Sequence, residues 1–258
     1  MEPLEKKRSA GLSIQALRIW GMIFAAAGIL GRGLLQNGLL QIHVLSGEEL
    51  YHLLSQSGSA MILTTISLVL QAMETCAVPI FAFILLEGVK HTSSMKRYFL
   101  RVFALALVCE LPYNLAICGS WLDLSSRNPV FGLVVSLVVL YFFKRYEEGS
   151  PIHYMIRFVV FLAGLLWLML LSVEYGLPML LLTLVLWLVR NQPRYRILVG
   201  ALATVLCCFF SLFFMAAAMS FLILHFYEGE KGHGSRLGNY LVYPLLLLVV
   251  GLVTQFAL

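Results

Sequence analysis

The sequence predicts an all-α protein, a polytopic bundle of eight or nine transmembrane helices. Three observations support this: 60% of the 258 residues are hydrophobic, only 12% are charged, and the apolar residues form long runs. A soluble domain carries roughly 25% charged residues, so this chain has too little polar surface for a water-soluble fold. A lipid bilayer is the apolar solvent that such a surface needs.

Each predicted span is a run of mostly apolar residues near the length, about 20 residues, that crosses the hydrocarbon core as a helix. Pro79 lies inside the second run and Pro112 near the end of the third. The runs do not alternate with period two, which argues against strands. The chain reads as one transmembrane domain, residues 1–258, and the predicted spans are 14–35, 61–87, 98–117, 129–143, 158–173, 177–189 and 239–256.

Two further segments are harder to assign. Residues 36–60 are polar enough to leave the membrane, and they predict a short amphipathic helix on its surface. Residues 197–226 are too long for one span and short for two, because a helix over the whole run would measure about 45 Å. Two short helices here give nine spans, and one long helix gives eight.

The positive charges favour nine spans with a cytoplasmic N-terminus. With two short helices, most of the 18 Lys and Arg residues fall between spans on the side of the basic head, residues 1–13. One long helix would move Lys231 and Arg236 to the other side. The net charge of +5 therefore indicates orientation in a bilayer and not nucleic-acid binding. We expect no cleaved signal peptide, since the first apolar run is long enough to remain as an anchor.

Cysteine and histidine are the residue types to consider for metal binding or acid–base chemistry. The five cysteines lie in or beside apolar runs with no CxxC spacing, so we expect small buried thiols and no metal site. His91 and His225 differ from the other four histidines, which lie in loops, because both fall at cytoplasmic ends of predicted spans. A general base at that end is within reach of a cytosolic substrate.

Ionised side chains inside predicted spans are the strongest functional signal, because each costs about 3 kcal/mol or more at the bilayer centre. We expect them to line a shared polar cavity. A structural role stays open for each one, as a helix cap, a hydrogen-bonded buried group or a cation that reaches the headgroups. Pairs at helical spacing are Glu87 with His91, Arg97 with Arg101, and Glu110 with Asn114. The charged residues in spans or at span ends are Arg18, Arg32, Glu74, Glu87, Arg101, Glu110 and Glu174.

Four segments combine uncommon motifs in a fixed order: VPIFAFILLEGVKHTSSMKRY, ELPYNLAICG, RNPVFGLVV and HFYEGEKGHGSRLGNYLVYPLLLL. In this order and spacing they resemble the TraX family of bacterial membrane proteins. The resemblance covers most of the chain and is dense over residues 75–143 and 225–248. The order of PIFxFxLxEGxxHT, ELPxN and NPVF is specific, which argues against chance agreement.

The resemblance implies O- or N-acyl transfer at the bacterial cytoplasmic (inner) membrane. The family includes a protein implicated in acetylating the N-terminus of pilin, and it looks related to multispan acyltransferases. The donor would be acetyl-coenzyme A or another acyl-coenzyme A, and the acceptor a peptide or envelope polymer. His91, backed by Glu87, fits the general base, and Arg97 or Arg101 fits the coenzyme A phosphates. Further candidate substrate-binding residues are Glu110, Asn114, Asn128, His225 and Tyr243.

The chain departs from the family pattern at positions that bear on catalysis. An Asp-His pair typical of the first span falls at Gly28 and Ile29, and a His typical of the last span falls at Leu246. Thr75 stands where an Arg is frequent, and Asn114 where an Asp is usual. Two alternatives therefore stay open. One is a non-catalytic relative that binds a ligand or assists envelope assembly. The other is a small transporter that uses the span carboxylates Glu74, Glu87 and Glu110 for coupling. The sequence shows no internal repeat of the kind that many transporters have, which argues against this second alternative.

Overall fold

The computed structural model describes residues 11–147, 149–230, 232 and 236–256, except for the side chains at 43, 193, 194, 236, 237 and 239. Within these ranges the regular structure is helical, which confirms the all-α prediction. The basic head up to residue 10, Lys231 and His233 lie outside the described residues. The helices are α1 (Ile14–Ile29, continued as a π-helix over Leu30–Leu39), α2 (Gly47–Gln56), α3 (Gly58–Thr75), α4 (Ala77–His91), α5 (Met95–Tyr113, continued as a π-helix over Asn114–Cys118), α6 (Val130–Arg145), α7 (Pro151–Leu170), α8 (Gly176–Leu188), α9 (Pro193–Leu206), α10 (Phe214–Ala217), α11 (Ser220–His225) and α12 (Arg236–Phe256).

Several of these helices have the length and composition of membrane spans. Shorter apolar helices accompany them, among them α8 and the two parts of residues 195–225. The chain is therefore a helical membrane protein, while the number of spans and the cytoplasmic N-terminus stay predictions. The four segments long and apolar enough to cross a membrane are Ile14–Leu39, Gly58–His91, Met95–Cys118 and Pro151–Leu170.

The longest apolar segment breaks at Cys76 into α3 and α4. Pro79 explains the break, because proline has no N–H to donate and its ring clashes with the carbonyl group four residues earlier, that of Thr75. The break leaves Glu74 in the last turn of α3, where it is buried against α1.

Glycines bring the π-helical end of α1 close to its neighbours. A Cβ on Gly31 would lie 3.0 Å from the carbonyl oxygen of Ser67, and one on Gly33 would lie 3.0 Å from that of Ala116. Ser67 Oγ also donates a 2.7 Å hydrogen bond to the Gly31 carbonyl. Small residues permit this close helix contact inside a membrane. The first span was predicted to end at residue 35, whereas the packed helix continues to Leu39.

The polar stretch after α1 contains the short helix predicted there. Ser46 Oγ accepts a hydrogen bond from the Glu49 N–H, and the Glu49 carboxylate accepts one from the Ser46 N–H, which forms a capping box. No residue of α2 is buried, so the start of this helix is stabilised by the capping box and not by burial of the Glu49 side chain. This agrees with a helix on the surface of the bundle.

Residues 193–225 form two helical legs joined by a turn, and not one long helix. The first leg is α9, which is about 21 Å long. The chain then turns back, and α10 and α11 form the second leg. Thr75 Oγ1 donates a 3.0 Å hydrogen bond to the Phe213 carbonyl at the turn. Where the second leg ends, the Phe226 carbonyl accepts a 2.7 Å hydrogen bond from the Leu12 N–H. The second leg thus returns to the start of α1, as the two-helix alternative requires.

The two ends of the bundle differ in charge. At the end where α1 begins, Lys144 Nζ donates a 3.2 Å hydrogen bond to the Val89 carbonyl, and Arg196 pairs with Glu87. We call this the basic end. The opposite end includes the loops 119–129 and 171–175, which are joined by backbone hydrogen bonds between Arg127 and the residues at 172 and 174.

Candidate functional site

Glu87 and His91, the pair predicted from helical spacing, are in contact at the end of α4. His91 Nε2 lies 3.6 Å from Glu87 Oε2, while Lys90 Nζ and Arg196 Nη1 lie 2.8 Å and 3.5 Å from Oε1. The side chain of Glu87 is 8% exposed and that of His91 is 62% exposed. Glu87 is therefore a buried anion among basic groups, and His91 remains accessible at the basic end.

Aromatic rings hold Arg196 in place beside Glu87. Its guanidinium group lies 4.7 Å from the ring centroid of Phe83, and Tyr227 meets the same ring edge-on at 5.2 Å between centroids. Burial, and after it the Glu87 carboxylate, raise the pKa of Tyr227 to about 12. Tyr227 therefore keeps its hydroxyl proton at neutral pH.

The other basic residues predicted for the site lie at the same end but are exposed. Arg101 Nε donates a 3.2 Å hydrogen bond to the Arg97 carbonyl, and its guanidinium group lies 5.9 Å from the Tyr98 ring centroid. His225 ends α11, where its ring meets that of Phe226 edge-on at 5.6 Å. In the part of the chain that the structure describes, no hydrogen bond or ion pair joins them to Glu87 or His91.

Glu110 and Asn128 lie together at the opposite end. Asn128 Nδ2 donates hydrogen bonds of 2.6 Å to Glu110 Oε2 and 2.9 Å to the Ala106 carbonyl, and Arg127 Nη1 donates one of 2.8 Å to Glu110 Oε1. These contacts fasten the loop 119–129 to α5. Asn114 is buried on the π-helical end of α5, and its Oδ1 has no hydrogen-bond partner among the described residues.

The structure does not bring Glu87, His91, Arg101 and Glu110 into one chamber. Arg101 and Glu110 are separated by about 13 Å along the axis of α5. Glu87 faces Arg196 at the basic end, whereas Glu110 faces Arg127 at the opposite end. Spacing along one helix correctly predicted the contact between Glu87 and His91. It carries no information on which helices pack against each other.

A further polar cluster centres on Arg32. Its Nη2 donates hydrogen bonds of 2.8 Å and 2.9 Å to the two carboxylate oxygens of Glu74, and its Nη1 donates one to Glu174. The Tyr175 hydroxyl donates a 3.2 Å hydrogen bond to Glu74, and the Tyr113 hydroxyl one of 2.8 Å to Glu174. We call these five residues the Arg32 cluster. The sequence analysis identified Arg32, Glu74 and Glu174 separately as charged residues in spans or at span ends. It did not predict that they pair, because Glu74 and Glu174 are 42 and 142 residues from Arg32 in the chain.

Two positions at which the chain departs from the resembled pattern border this cluster. Gly28 lies directly against Glu74, because a Cβ at residue 28 would overlap the Glu74 carboxyl group. Ile29 is 2% exposed and belongs to the apolar core. A glutamate from α3 therefore occupies the space in front of residue 28, where the family pattern has an acidic side chain on the first span.

A partly open apolar cavity of about 80 Å³ lies next to the Arg32 cluster. Its lining is apolar except for Glu74, Tyr175 and Tyr243. Tyr243, predicted as a substrate-binding residue, thus lines a cavity. Between α5 and α6 at the basic end, a second space of about 280 Å³ is lined by residues that include Lys96 and Tyr141.

The cysteines form no disulfide. Of the five free thiols, those of Cys76, Cys109 and Cys207 are buried and the other two are half-buried. Over the described residues, no group of three His, Cys, Asp or Glu side chains is arranged to hold a metal ion.

Long apolar helices that enclose paired charges define this chain as a polytopic helical membrane protein. A sequence model of a known family, described as TraX protein, matches residues 50–254. The chain therefore belongs to the TraX family, as its motifs predicted. No curated protein and no solved structure matches it.

Proposed function

We propose that the chain is a membrane acyltransferase of TraX type. In this proposal it resides in the bacterial cytoplasmic membrane with the basic end in the cytoplasm. It moves an acetyl or other short acyl group from acyl-coenzyme A to a peptide or cell-envelope acceptor. The observation that supports it most directly is the contact between His91 and Glu87 at the basic end of a TraX-family bundle. The abundance of Lys and Arg at that end supports the orientation.

The chemistry assigned to His91 is general base catalysis. The imidazole accepts the proton that an acceptor amine or hydroxyl loses as it attacks the thioester carbonyl carbon. A carbon–nitrogen or carbon–oxygen bond forms, the carbon–sulfur bond breaks, and the departing coenzyme A thiolate takes the proton back from the imidazolium. Glu87, 3.6 Å from His91 Nε2, favours the positive charge that the ring carries between these two proton transfers.

Arg97 and Arg101 are assigned to the donor. Coenzyme A carries phosphate groups, and guanidinium groups bind phosphate through paired hydrogen bonds. Both arginines are exposed on the first turns of α5. The neighbouring space lined by Lys96 and Tyr141 offers an apolar surface with one further positive charge for the rest of the donor.

The proposal is tested with purified protein, labelled acetyl-coenzyme A and a membrane extract. Label should move to an acceptor in the extract, and His91→Ala should lower the rate by about 100-fold or more, the contribution typical of a general base. His52→Ala is the matched control, because His52 is exposed on α2 far from the basic end. Absence of both label transfer and coenzyme A binding by the wild-type protein would refute the proposal.

One set of observations favours a second function, that of a non-catalytic relative. Gly28, Ile29 and Leu246 supply no acid–base group, and the carboxylates of the Arg32 cluster are already bonded. Such a protein would bind a lipid, acyl or peptide ligand in the envelope without turnover. An unchanged cellular phenotype of His91→Ala at normal expression would favour this function over catalysis.

A further inference from the structure

The space between α5 and α6 at the basic end is a partly open groove with a volume of about 280 Å³. We call it the α5–α6 groove. A water molecule takes about 30 Å³ in the liquid and a methylene group is of similar size, so the groove has room for about nine such groups. Lys96 and Tyr141 carry the polar groups of its lining, which consists of Met95, Lys96, Phe99, Leu137, Val138 and Tyr141.

The α5–α6 groove adjoins the end of α4 that carries His91. Met95 follows His91 by four residues, so the Cα atoms of the two residues lie within about 14 Å of each other. On the other wall, Lys144 comes three residues after Tyr141 on α6, and its Nζ donates a 3.2 Å hydrogen bond to the Val89 carbonyl in the last turn of α4. The groove is therefore within reach of a substrate bound at His91.

The chemistry of the lining favours a hydrocarbon chain over the other parts of coenzyme A. The pantetheine arm of coenzyme A contains two amide groups, which need hydrogen-bond partners where they are buried. The groove offers only the ammonium group of Lys96 and the hydroxyl group of Tyr141, and both residues are exposed. An alkyl chain needs no such partner and gains from leaving water.

Lys96 places a positive charge at the mouth of the groove. Among the described residues, no carboxylate pairs with its ammonium group. Arg97, the next residue, is exposed on the same first turn of α5. An apolar groove with cations at its mouth fits a molecule that has an alkyl chain at one end and phosphate groups at the other.

We propose that the α5–α6 groove holds the acyl chain of the donor, and that the donor is an acyl-coenzyme A with about four to eight acyl carbons rather than acetyl-coenzyme A. This substrate class rests on the acyl transfer proposed above, in which the thioester lies at His91. The chain packs against Phe99 and Val138, and the phosphate groups stay outside the groove near Lys96. An acetyl group would leave most of the groove unused.

The test compares the affinities of the purified protein in detergent for acetyl-coenzyme A and hexanoyl-coenzyme A. A hexanoyl group has four more methylene groups, and each would add about fourfold in affinity if it were fully buried. Because the groove is open on one side, we expect about twofold for each, so hexanoyl-coenzyme A should bind about 16-fold more tightly. Equal affinities would overturn the proposal.

Two substitutions of valine by tryptophan show where the chain binds. Val138→Trp fills the groove from its exposed wall and should remove most of the preference for hexanoyl-coenzyme A. Val159→Trp, on the exposed face of α7, is the matched control and should keep the preference. A preference that persists in Val138→Trp would place the chain outside the groove. A preference that disappears in phosphatidylcholine nanodiscs would show that membrane lipid fills the groove, and either result would refute the proposal.

Label transfer to a membrane extract separates the substrate class from the acyl transfer itself. Transfer from acetyl-coenzyme A by a protein that does not prefer hexanoyl-coenzyme A would refute the substrate class alone. Tight binding of hexanoyl-coenzyme A that Val138→Trp abolishes, without any transfer of the hexanoyl group, would refute acyl transfer and leave the groove as an acyl-binding site. If neither donor binds, both proposals are wrong.

Discussion

The guanidinium group of Arg32 pairs with two carboxylates, and this arrangement determines how single substitutions in the Arg32 cluster change the stability of the protein. Removing one partner of a buried ion pair typically costs about 3–5 kcal/mol, because the other charge is left unpaired. Here the three charged residues are not equivalent. Loss of the arginine leaves two unpaired carboxylates, whereas loss of either carboxylate leaves a balanced pair.

We therefore expect opposite outcomes from two substitutions of similar size. Arg32→Leu should lower the free energy of unfolding by about 3–5 kcal/mol. Glu174→Gln should change it by less than about 1 kcal/mol, since Arg32 keeps Glu74 and the amide oxygen can still accept from Tyr113. Thermal unfolding of both proteins in the same detergent measures the difference. Equal destabilisation by the two substitutions would show that charge balance does not govern the cluster.

The same residues show how far the sequence could predict the site. Glu87 and His91 are four residues apart on one helix, so their contact could be predicted from the helical spacing alone. Arg32 and Glu74 meet because Gly28 lets two antiparallel helices approach. Such a contact depends on which helices are neighbours, and neither hydropathy nor spacing encodes that directly. The cost of a charge in lipid did predict that Arg32 and Glu74 would need partners.

At the scale of the helices, close packing depends on glycine at a few positions. Apolar side chains gain little from leaving lipid for protein, so helix association in a membrane relies on tight contact. A Cβ on Gly33 would lie 2.8 Å from a methyl carbon of Val250 and 3.0 Å from the carbonyl oxygen of Ala116. The contact joins the end of α1 to both α5 and α12. Gly58, at the start of α3, has nothing within 4 Å of such a Cβ.

This contrast makes a matched pair of substitutions. Gly33→Ala should destabilise the protein by about 1–3 kcal/mol, because a backbone atom cannot move aside as a flexible side chain can. Gly58→Ala should be neutral or slightly stabilising, since alanine has the higher helix propensity. Unfolding by heat or by denaturing detergent compares the two. A neutral Gly33→Ala would mean that the end of α1 is packed less tightly than the structure indicates.

Over the whole molecule, Glu87 and Glu110 have their partners at the two ends of the bundle, whereas the Arg32 cluster extends to the middle of the longest apolar segment. Glu87 and its partners are at the basic end, and Glu174 precedes α8 in a loop of the opposite end. α8 is only about 20 Å long and begins just after Glu174, whereas Glu74 lies at the middle of the longest apolar segment, Gly58–His91. The pairing of Arg32 with both carboxylates therefore lowers the cost of burying these charges. Run lengths alone did not predict it.

The return of residues 193–225 to the basic end predicts which loops share a side of the membrane, and this can be tested by labelling. In a background without native cysteines, Ser93→Cys, Ser125→Cys and Glu228→Cys place single thiols on exposed residues of three loops. Ser93 follows α4 at the basic end, and Ser125 lies in the loop 119–129 at the opposite end. Glu228 is the informative position, because its N–H donates a 3.3 Å hydrogen bond to the Leu12 carbonyl.

With a thiol reagent that does not cross membranes, intact cells should label only Ser125→Cys, and permeabilised cells should label all three. That result places Glu228 on the side of Ser93 and excludes a single crossing by residues 197–226. The positive-inside distribution of Lys and Arg predicts that this side is the cytoplasm. If Glu228→Cys were instead labelled in intact cells together with Ser125→Cys, residues 197–226 would be a single crossing. The hydrogen bonds from Leu12 to Phe226 and from Glu228 to Leu12 could not then exist, since their two segments would lie on opposite faces of the bilayer.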